Sequence, residues 1–155
     1  MPPVRVALRE ITAETVRAVC ALDVAPAQRR SVAPNAVSIA QAHFEPAAWF
    51  RAVVADDEPI GFAMLYDPTR AIAPEDPRTC VLWRFMIDAR RQKRGYGAAA
   101  LGALFAHVET LPGVDTFATS YVPGDGSPGA FYARFGFVET GEVDGGERVL
   151  RRAVR

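Results

Sequence analysis

RFMIDARRQKRGYGAAAL, residues 84–101, joins an apolar run to an alanine-rich segment through a basic stretch with two glycines. The apolar run predicts a buried strand, and the alanine-rich segment predicts a helix. Glycines allow a tight turn, and the first N–H groups of a helix have no partner within it. The helix dipole adds partial positive charge at the same end. The stretch therefore predicts a cradle for an anion such as pyrophosphate, surrounded by Arg90, Arg91, Lys93 and Arg94.

Three kinds of glycine-containing loop were compared with this stretch. A dinucleotide-binding turn has three glycines, but Ala100 stands where the third would be. A Walker phosphate loop needs Gly-Lys followed by Ser or Thr, which this sequence lacks. A basic loop whose glycines serve only the strand-to-helix turn remains open on these residues alone.

Hydrophobic periodicity on both sides of the loop predicts the element order β-α-α-β-β-β-α-β-α-β-β. The predicted fold is α/β: one domain over residues 1–155, with a central mixed β-sheet of about seven strands flanked by about four helices. Thr12 and Asn35 are expected to cap the first two helices, and Ser127 to start the last. The predicted strands are 4–9, 49–55, 59–66, 80–87, 115–121, 137–143 and 148–154, with helices over 12–21, 35–43, 96–109 and 127–136. The strand over 80–87 is expected to be buried on both faces.

The composition limits the classes to which the protein can belong. Half of its 155 residues are apolar, enough for a core in one domain. Its 18 basic and 18 acidic residues disfavour nucleic-acid binding, and the sequence predicts neither a membrane span nor a signal peptide. Two distant cysteines and two histidines predict neither a disulfide nor a metal site, and favour the cytoplasm. The arginines among the last eight residues are expected on a solvated edge strand.

A second segment, AFYARFGF at residues 130–137, makes the pattern more specific. Together the two segments resemble the GNAT N-acetyltransferase family, and the order of elements fits it over nearly the whole chain. The resemblance implies a GNAT-like fold and acetyl-coenzyme A as cosubstrate, without a metal. It implies that the pyrophosphate of coenzyme A binds the backbone N–H groups of Gln92, Lys93, Arg94, Gly95, Tyr96 and Gly97. Phe85, Met86 and Ile87 would run beside the pantetheine arm.

The resemblance also implies a general acid. When an amine attacks a thioester, coenzyme A leaves as a thiolate, and a phenol with a pKa of about 10 can protonate it. Tyr132, the tyrosine of the second segment, would lie beside the sulfur. A packing tyrosine under the sheet is the structural alternative.

The proton acceptor is less well defined by the sequence. Holding a lysine-like amine neutral at pH 7 costs about 4.6 kcal/mol, so a base is needed. Many members of the family carry Glu or Asp on the strand before the loop, but Val81 and Trp83 occupy those positions here. His43 and Glu45, or a water chain, are the remaining candidates. Gly124 stands where the family often has a cofactor-binding Asn, so either Ser127 or Asp125 substitutes for it or the contact is lost.

The acceptor is narrowed by resemblance to bacterial spermine/spermidine-type enzymes of the family. Aromatic faces and carboxylates suit a polycation, and Trp49, Trp83 and Arg84 are expected to line the acceptor site. An aminoglycoside, an amino acid or a peptide N-terminus remains open as the acceptor. A non-catalytic acyl-coenzyme A-binding module is the alternative of a different class. The protein is expected to act as a monomer or homodimer, with no nucleic-acid or membrane partner.

Overall fold

The computed structural model describes residues 4–29 and 32–155. Seven strands and four α-helices follow one another in the predicted order within this part of the chain. They are β1 Ala7–Arg9, α1 Val16–Ala21, α2 Asn35–His43, β2 Ala48–Ala55, β3 Glu58–Tyr66, β4 Thr79–Ile87, α3 Tyr96–Glu109, β5 Thr116–Tyr121, α4 Gly129–Arg134, β6 Val138–Asp144 and β7 Glu147–Ala153. Short 3-10 turns occupy Pro26–Gln28 and Ala89–Arg91.

All seven strands form one sheet in the order β1-β2-β3-β4-β5-β7-β6. Neighbouring strands are antiparallel except β4 and β5, which are parallel because α3 crosses over between them. The predicted mixed α/β sheet with about four flanking helices is therefore confirmed. No helix in the described part of the chain is long and apolar enough to cross a bilayer.

The sheet opens between its two parallel strands. β4 and β5 pair only from Thr79 with Thr116 to Leu82 with Thr119. A β-bulge lies at the same level, since Leu82 pairs with Leu65 of β3 while Arg84 pairs with the adjacent Met64. The bulge bends β4 where its pairing with β5 ends. Residues 84–87 consequently pair with β3 on one side and have no strand on the other among the described residues.

The core lies on both faces of the sheet. Leu101, Leu104 and Val108 of α3 are fully buried against one face, where they pack on Leu65 and Leu82. Helices α1 and α2 cover the opposite face over a second cluster, formed by Val19, Ala48, Ala52, Phe62, Met64 and Met86. The α3 cluster positions the helix whose N-terminus carries the basic glycine loop.

Three local expectations need correction at the helix starts. The first helix begins at Val16 rather than Thr12, because Thr12 and Thr15 form a turn ahead of it. Asn35 does not cap α2; its buried Nδ2 donates to the Val19 carbonyl at 2.9 Å and so ties α2 to α1. Ser127 lies two residues before Gly129, the first residue of α4, and accepts the Gly129 N–H at 3.1 Å.

Two expectations about strands are wrong in part. β4 is not buried throughout: Val81, Trp83, Arg84 and Phe85 are half-buried, because the neighbouring β5 diverges and the bulge turns consecutive side chains outward. The arginine-rich β7 is not an edge strand, since it lies between β5 and β6. Its arginines are partly paired with the real edge strand β6, as in the Arg148–Glu139 and Arg151–Glu142 ion pairs.

Candidate active site at the split between β4 and β5

The basic glycine loop leaves a row of backbone donors without partners. Among the described residues, the N–H groups of residues 93–98 make no hydrogen bond within the chain. Lys93 and Gly95 have φ angles of +62° and +84°, so the loop turns through left-handed backbone before α3 begins. Gly95 suits that conformation because it has no side chain. Unpaired N–H groups at a helix start bind anions, so this loop fits the predicted phosphate cradle.

The basic side chains of the loop divide into two pairs. Arg90 binds the buried Asp88 at 2.8 Å, and Arg91 binds Glu58 at 2.6 Å. Lys93 and Arg94 are exposed and make no ion pair with a described residue. Lys93 and Arg94 are thus the cations available to a bound anion, whereas Arg90 and Arg91 already have carboxylate partners.

Gln92 holds the loop against the rest of the molecule. Its side-chain Nε2 donates to the Ile87 carbonyl at 2.9 Å and to the Gln28 Oε1 at 2.8 Å. Gln28 belongs to the segment between α1 and α2, so this segment and the end of β4 are fixed to the loop. The glutamine therefore positions the cradle, in addition to contributing its own backbone N–H.

Tyr132 lies where the sheet opens. It is 5% exposed and packs in the α3 cluster with Leu82 and Phe137. Burial raises the pKa of the Tyr132 phenol to about 12, and a hydrogen bond with the Thr119 side chain opposes the rise. Thr119 itself donates to the Leu82 carbonyl at 3.2 Å, at the last residue pair between β4 and β5. A buried, protonated phenol at this point can donate a proton to a group in the split.

The α4 helix brings this phenol close to the loop. A Cβ on Gly97 would lie 3.6 Å from the Phe131 ring, so the start of α3 packs on α4. Phe131 also lies near Phe85 of β4, with ring centroids 6.5 Å apart. The unpaired strand edge, the donor loop and Tyr132 therefore form one contiguous site.

Trp83 and Arg84 lie on the face covered by α1 and α2. Trp83 packs against the cluster on that face, and the Arg84 Nη2 donates to the Gln41 Oε1 of α2 at 3.2 Å. The bulge explains why two consecutive residues share a face. Their position, directly after Leu82, is across the sheet from Tyr132.

Two cavities lie against this sheet. One of about 390 Å³ lies on the α1–α2 face, lined by Cys20, Leu22, Asp23, Asn35 and Met86 among others. Met86 is two residues beyond Arg84 on β4 and on the same face. A larger depression, about 600 Å³, is lined by Asp115, Arg151 and Arg155. It lies at the closed end of the β4–β5 pair, where Thr79 meets Thr116, whereas the smaller cavity reaches the open part of β4 at Met86.

Residues 22–137 match the acetyltransferase (GNAT) family. The chain belongs to this family. The family and the acetyltransferase class predicted from the sequence are thereby confirmed. The split between β4 and β5, the loop of unpaired N–H groups and Tyr132 thus belong to a GNAT acetyltransferase.

One curated relative and two solved structures add detail. An L-2,4-diaminobutyric acid acetyltransferase of Streptomyces avermitilis is 35% identical over 71 residues, which is 46% of this chain and 37% of that protein. An aminoglycoside acetyltransferase solved with coenzyme A superposes with a TM-score of 0.76 at 17% identity, covering 96% of this chain and 94% of the other. An N-acetylglutamate synthase from Neisseria gonorrhoeae, solved with coenzyme A and N-acetyl-glutamate, gives 0.71 at 14% identity, covering 99% and 36%. At these identities the solved structures show a shared fold.

The predicted acceptor and base residues lie in different parts of the structure. Trp49 is 7% exposed in the α3 cluster, stacked on His107 at 3.9 Å with the Arg51 guanidinium 4.4 Å from its ring centroid. It is part of the core, away from Trp83 and Arg84. His43 is exposed at the end of α2, two residues from Gln41. The Glu45 carboxylate accepts the Ala47 N–H at 3.2 Å and so closes the turn after α2. The acceptor and base roles of these side chains remain predictions.

Two residues of the candidate site were not predicted from the sequence. Thr119 links the Tyr132 phenol to the Leu82 carbonyl, and Gln41 fixes the Arg84 guanidinium. Both are ordinary residues in a strand and a helix, so no local motif marks them. They could be found only from the order of the strands in the sheet.

Proposed function

We propose that this chain transfers an acetyl group from acetyl-coenzyme A to the primary amine of a small molecule. The observation that carries the proposal is the continuity of three features: unpaired loop N–H groups, an unpaired strand edge and a buried tyrosine. The first suits a pyrophosphate, the second suits an extended amide-containing arm, and the third suits a leaving thiolate.

The binding roles follow from the chain's own donors. The backbone N–H groups of Gln92 to Gly97 would hold the pyrophosphate, with Lys93 and Arg94 supplying full charges. The backbone of Phe85, Met86 and Ile87 would run beside the pantetheine arm on the side where β5 is missing. Because strand residues alternate in direction, the backbone groups of Phe85 and Ile87 face that side, whereas the Met86 carbonyl faces Gly61 of β3. Ser127 would contribute its hydroxyl proton, since the hydroxyl oxygen accepts the Gly129 N–H and the O–H donor remains available.

The proposed reaction is a direct acyl transfer. Acetyl-coenzyme A, when bound, supplies a thioester whose carbonyl carbon can accept an amine nitrogen. A C–N bond forms, the C–S bond breaks, and Tyr132 donates its phenolic proton to the departing sulfur. The raised pKa keeps Tyr132 protonated at neutral pH until that step.

A proton must also leave the attacking amine. Val81 and Trp83 provide no base on β4, and the Glu45 carboxylate is engaged in its local turn. His43 is exposed at the end of α2, the helix that contacts Arg84 through Gln41. We therefore favour His43 or water over Glu45 as the proton acceptor.

Two classes of acceptor that differ in charge have support, while an aminoglycoside or a peptide N-terminus remains open. A polyamine such as spermine or spermidine is supported by the indole face of Trp83. An amino acid with a side-chain amine is supported by the name of the Streptomyces avermitilis relative, although only 37% of that protein is matched.

Cys20 and Cys80 are both free thiols, which supports the cytoplasmic location included in this proposal.

The test is acetyl-coenzyme A turnover by the purified protein in EDTA, followed by thiol release. The panel contains polyamines, diamino acids, an aminoglycoside and a peptide with a free N-terminus. At least one small primary amine should be acetylated, and mass spectrometry should show a single added acetyl group. Binding of acetyl-coenzyme A without turnover of any amine would overturn the enzyme reading and favour a binding module.

A further inference from the structure

Arg84 is a half-buried cation without a carboxylate partner in the described part of the chain. Its Nη1 donates to the Trp83 carbonyl at 3.1 Å, and its Nη2 donates to the Gln41 amide oxygen at 3.2 Å. Its Nε is shielded from water and has no hydrogen-bond partner. The guanidinium is thus held in place by two neutral acceptors while its charge remains uncompensated.

Holding this guanidinium half-buried without an anion costs free energy unless a further group binds to it. Moving a cation out of water carries a desolvation penalty, which an anion at hydrogen-bonding distance can offset. Burial lowers the pKa of Arg84, although Glu147 opposes this, and the guanidinium stays charged. Glu147 does not form an ion pair with it, so the terminal nitrogens keep N–H groups for a ligand.

The location of Arg84 places such a ligand at the site. Leu82, the last β4 residue paired with β5, carries the carbonyl that Thr119 binds, and Thr119 contacts the Tyr132 phenol. Arg84 is two residues further along the strand, beyond the bulge at Trp83. It lies on the face opposite α3, and Met86 lines a cavity on that same face. A group bound by Arg84 therefore lies at the level where the sheet opens, on the face covered by α1 and α2.

We propose that Arg84 binds a carboxylate of the acceptor, so that the acceptor is an amino acid bearing a second, reactive amine rather than a polyamine. This inference rests on the proposed acetyltransferase function. A guanidinium recognises a carboxylate through paired N–H donors and repels a polycation. Trp83, 5.4 Å from the same guanidinium, forms an apolar wall for the connecting methylene groups.

The experiment compares matched substrates that differ by one carboxylate. L-2,4-Diaminobutyrate is paired with 1,3-diaminopropane, L-ornithine with putrescine and L-lysine with cadaverine, with spermidine as a polycation. In the wild-type protein at least one diamino acid should exceed its decarboxylated partner by roughly 10- to 100-fold in kcat/KM, the range expected for the loss of a hydrogen bond to a charged group.

Substitutions at Arg84 test whether this residue causes the preference for a diamino acid over its diamine. Arg84→Gln should abolish the preference by raising KM for the diamino acid, with kcat/KM for the diamine equal or higher. Arg84→Lys should retain part of it, because an ammonium keeps the charge but loses the fork of donors. Arg155→Gln, at the far end of the sheet beside Glu109, is the charge-matched control and should leave the preference intact.

Diamino acid binding to the protein saturated with coenzyme A tests the carboxylate role independently of turnover. Calorimetry should give a lower Kd for the diamino acid than for its diamine, whether or not turnover occurs. Equal binding of the two, tighter binding of spermidine, or no binding of any diamino acid would overturn the carboxylate role. Loss of acetyl-coenzyme A affinity in Arg84→Gln would also overturn it, since Arg84 would then serve the cosubstrate. Failure of all amines to release thiol would instead count against the proposed function.

Discussion

At the scale of single residues, the phenol of Tyr132 is protected from ionisation by its surroundings. It is almost fully buried among apolar and aromatic side chains, and burial raises its pKa to about 12. Thr119 is the polar group against it, and that hydroxyl also binds β4. Such a residue can act as an acid at neutral pH but not as a base.

Tyr132→Phe removes one oxygen and keeps the ring. Turnover should fall roughly 100- to 10,000-fold, the usual contribution of a general acid. Affinity for acetyl-coenzyme A should stay within a few-fold, because the proposed pyrophosphate contacts lie in the 92–97 loop. Steady-state kinetics, calorimetry and a melting curve on the purified variant measure the three quantities. Full activity would mean that water protonates the thiolate and that Tyr132 only packs.

Gly95→Glu tests the anion cradle. Gly95 has a φ of +84°, which side chains rarely adopt, and a carboxylate there would oppose a phosphate. Calorimetry should show loss of saturable acetyl-coenzyme A binding. Gly102→Glu is the matched control: it adds the same charge to α3 at a position with open space around it. Equal affinities for the two variants would remove the loop from the binding site.

At the scale of elements, the close contact between β3 and β4 beside the split sets the position of the free strand edge. A Cβ on Gly61 of β3 would lie 2.5 Å from the Met86 carbonyl oxygen and 2.8 Å from the Ile87 Cδ1. The two strands can approach this closely because residue 61 has no side chain. The backbone of residues 85–87 therefore depends on a glycine in the neighbouring strand.

Gly61→Ala should displace β4 and lower the free energy of unfolding by about 1–3 kcal/mol, the scale of overpacking. Acetyl-coenzyme A affinity should fall as well, since the displaced backbone would line the proposed pantetheine path. Gly102→Ala, in an open part of α3, should instead stabilise the protein by about 1 kcal/mol. Denaturant unfolding and calorimetry on both variants provide the measurements. Unchanged affinity in Gly61→Ala would separate this strand from cosubstrate binding.

The elements also show what the sequence could and could not predict. The order of strands and helices followed from periodicity, and α3 was predicted with its observed bounds, because its alanines and leucines favour helix over 96–109. Asn35 was misassigned as a cap because its partner, the Val19 carbonyl, lies on another helix. The bulge at Trp83 forms through the pairing of β4 with β3. The hydrogen bond from Thr119 to Leu82 forms through the pairing of β5 with β4. Contacts of this kind are set by topology rather than by local sequence.

At the scale of the whole molecule, buried titratable groups make stability depend on pH. Burial lowers the pKa of His107, with Arg51 acting in the same direction and Asp67 opposing it. Burial raises the pKa of Asp88, but hydrogen bonds from the Asp23 N–H and Arg90 outweigh it, so the net pKa lies below the usual range. Both groups therefore bind protons more readily in the unfolded chain.

Stability should therefore decrease as the pH falls. The decrease should begin below about pH 6.5, where an unfolded histidine takes up its proton, and continue below about pH 4, where an unfolded aspartate does. Melting temperatures recorded from about pH 8 to about pH 3 measure the effect. His107→Gln should flatten the first part of the profile and leave the second. A constant melting temperature between these pH values would contradict the burial of an uncharged His107.

The parallel pairing of β4 with β5 also joins the two halves of the sheet. In the described chain, four residue pairs from Thr79 with Thr116 to Leu82 with Thr119 join the β1–β4 half to the β5–β7 half. Amide protons of residues 84–87 that point toward the gap have no strand to slow their exchange with deuterium, although they lie in mid-sheet. A ligand that occupies the gap with its own amides substitutes for the missing strand. Such a ligand would also connect the β1–β4 half to the β5–β7 half. Deuterium uptake along β4 would then report both ligand occupancy and the rigidity of the sheet.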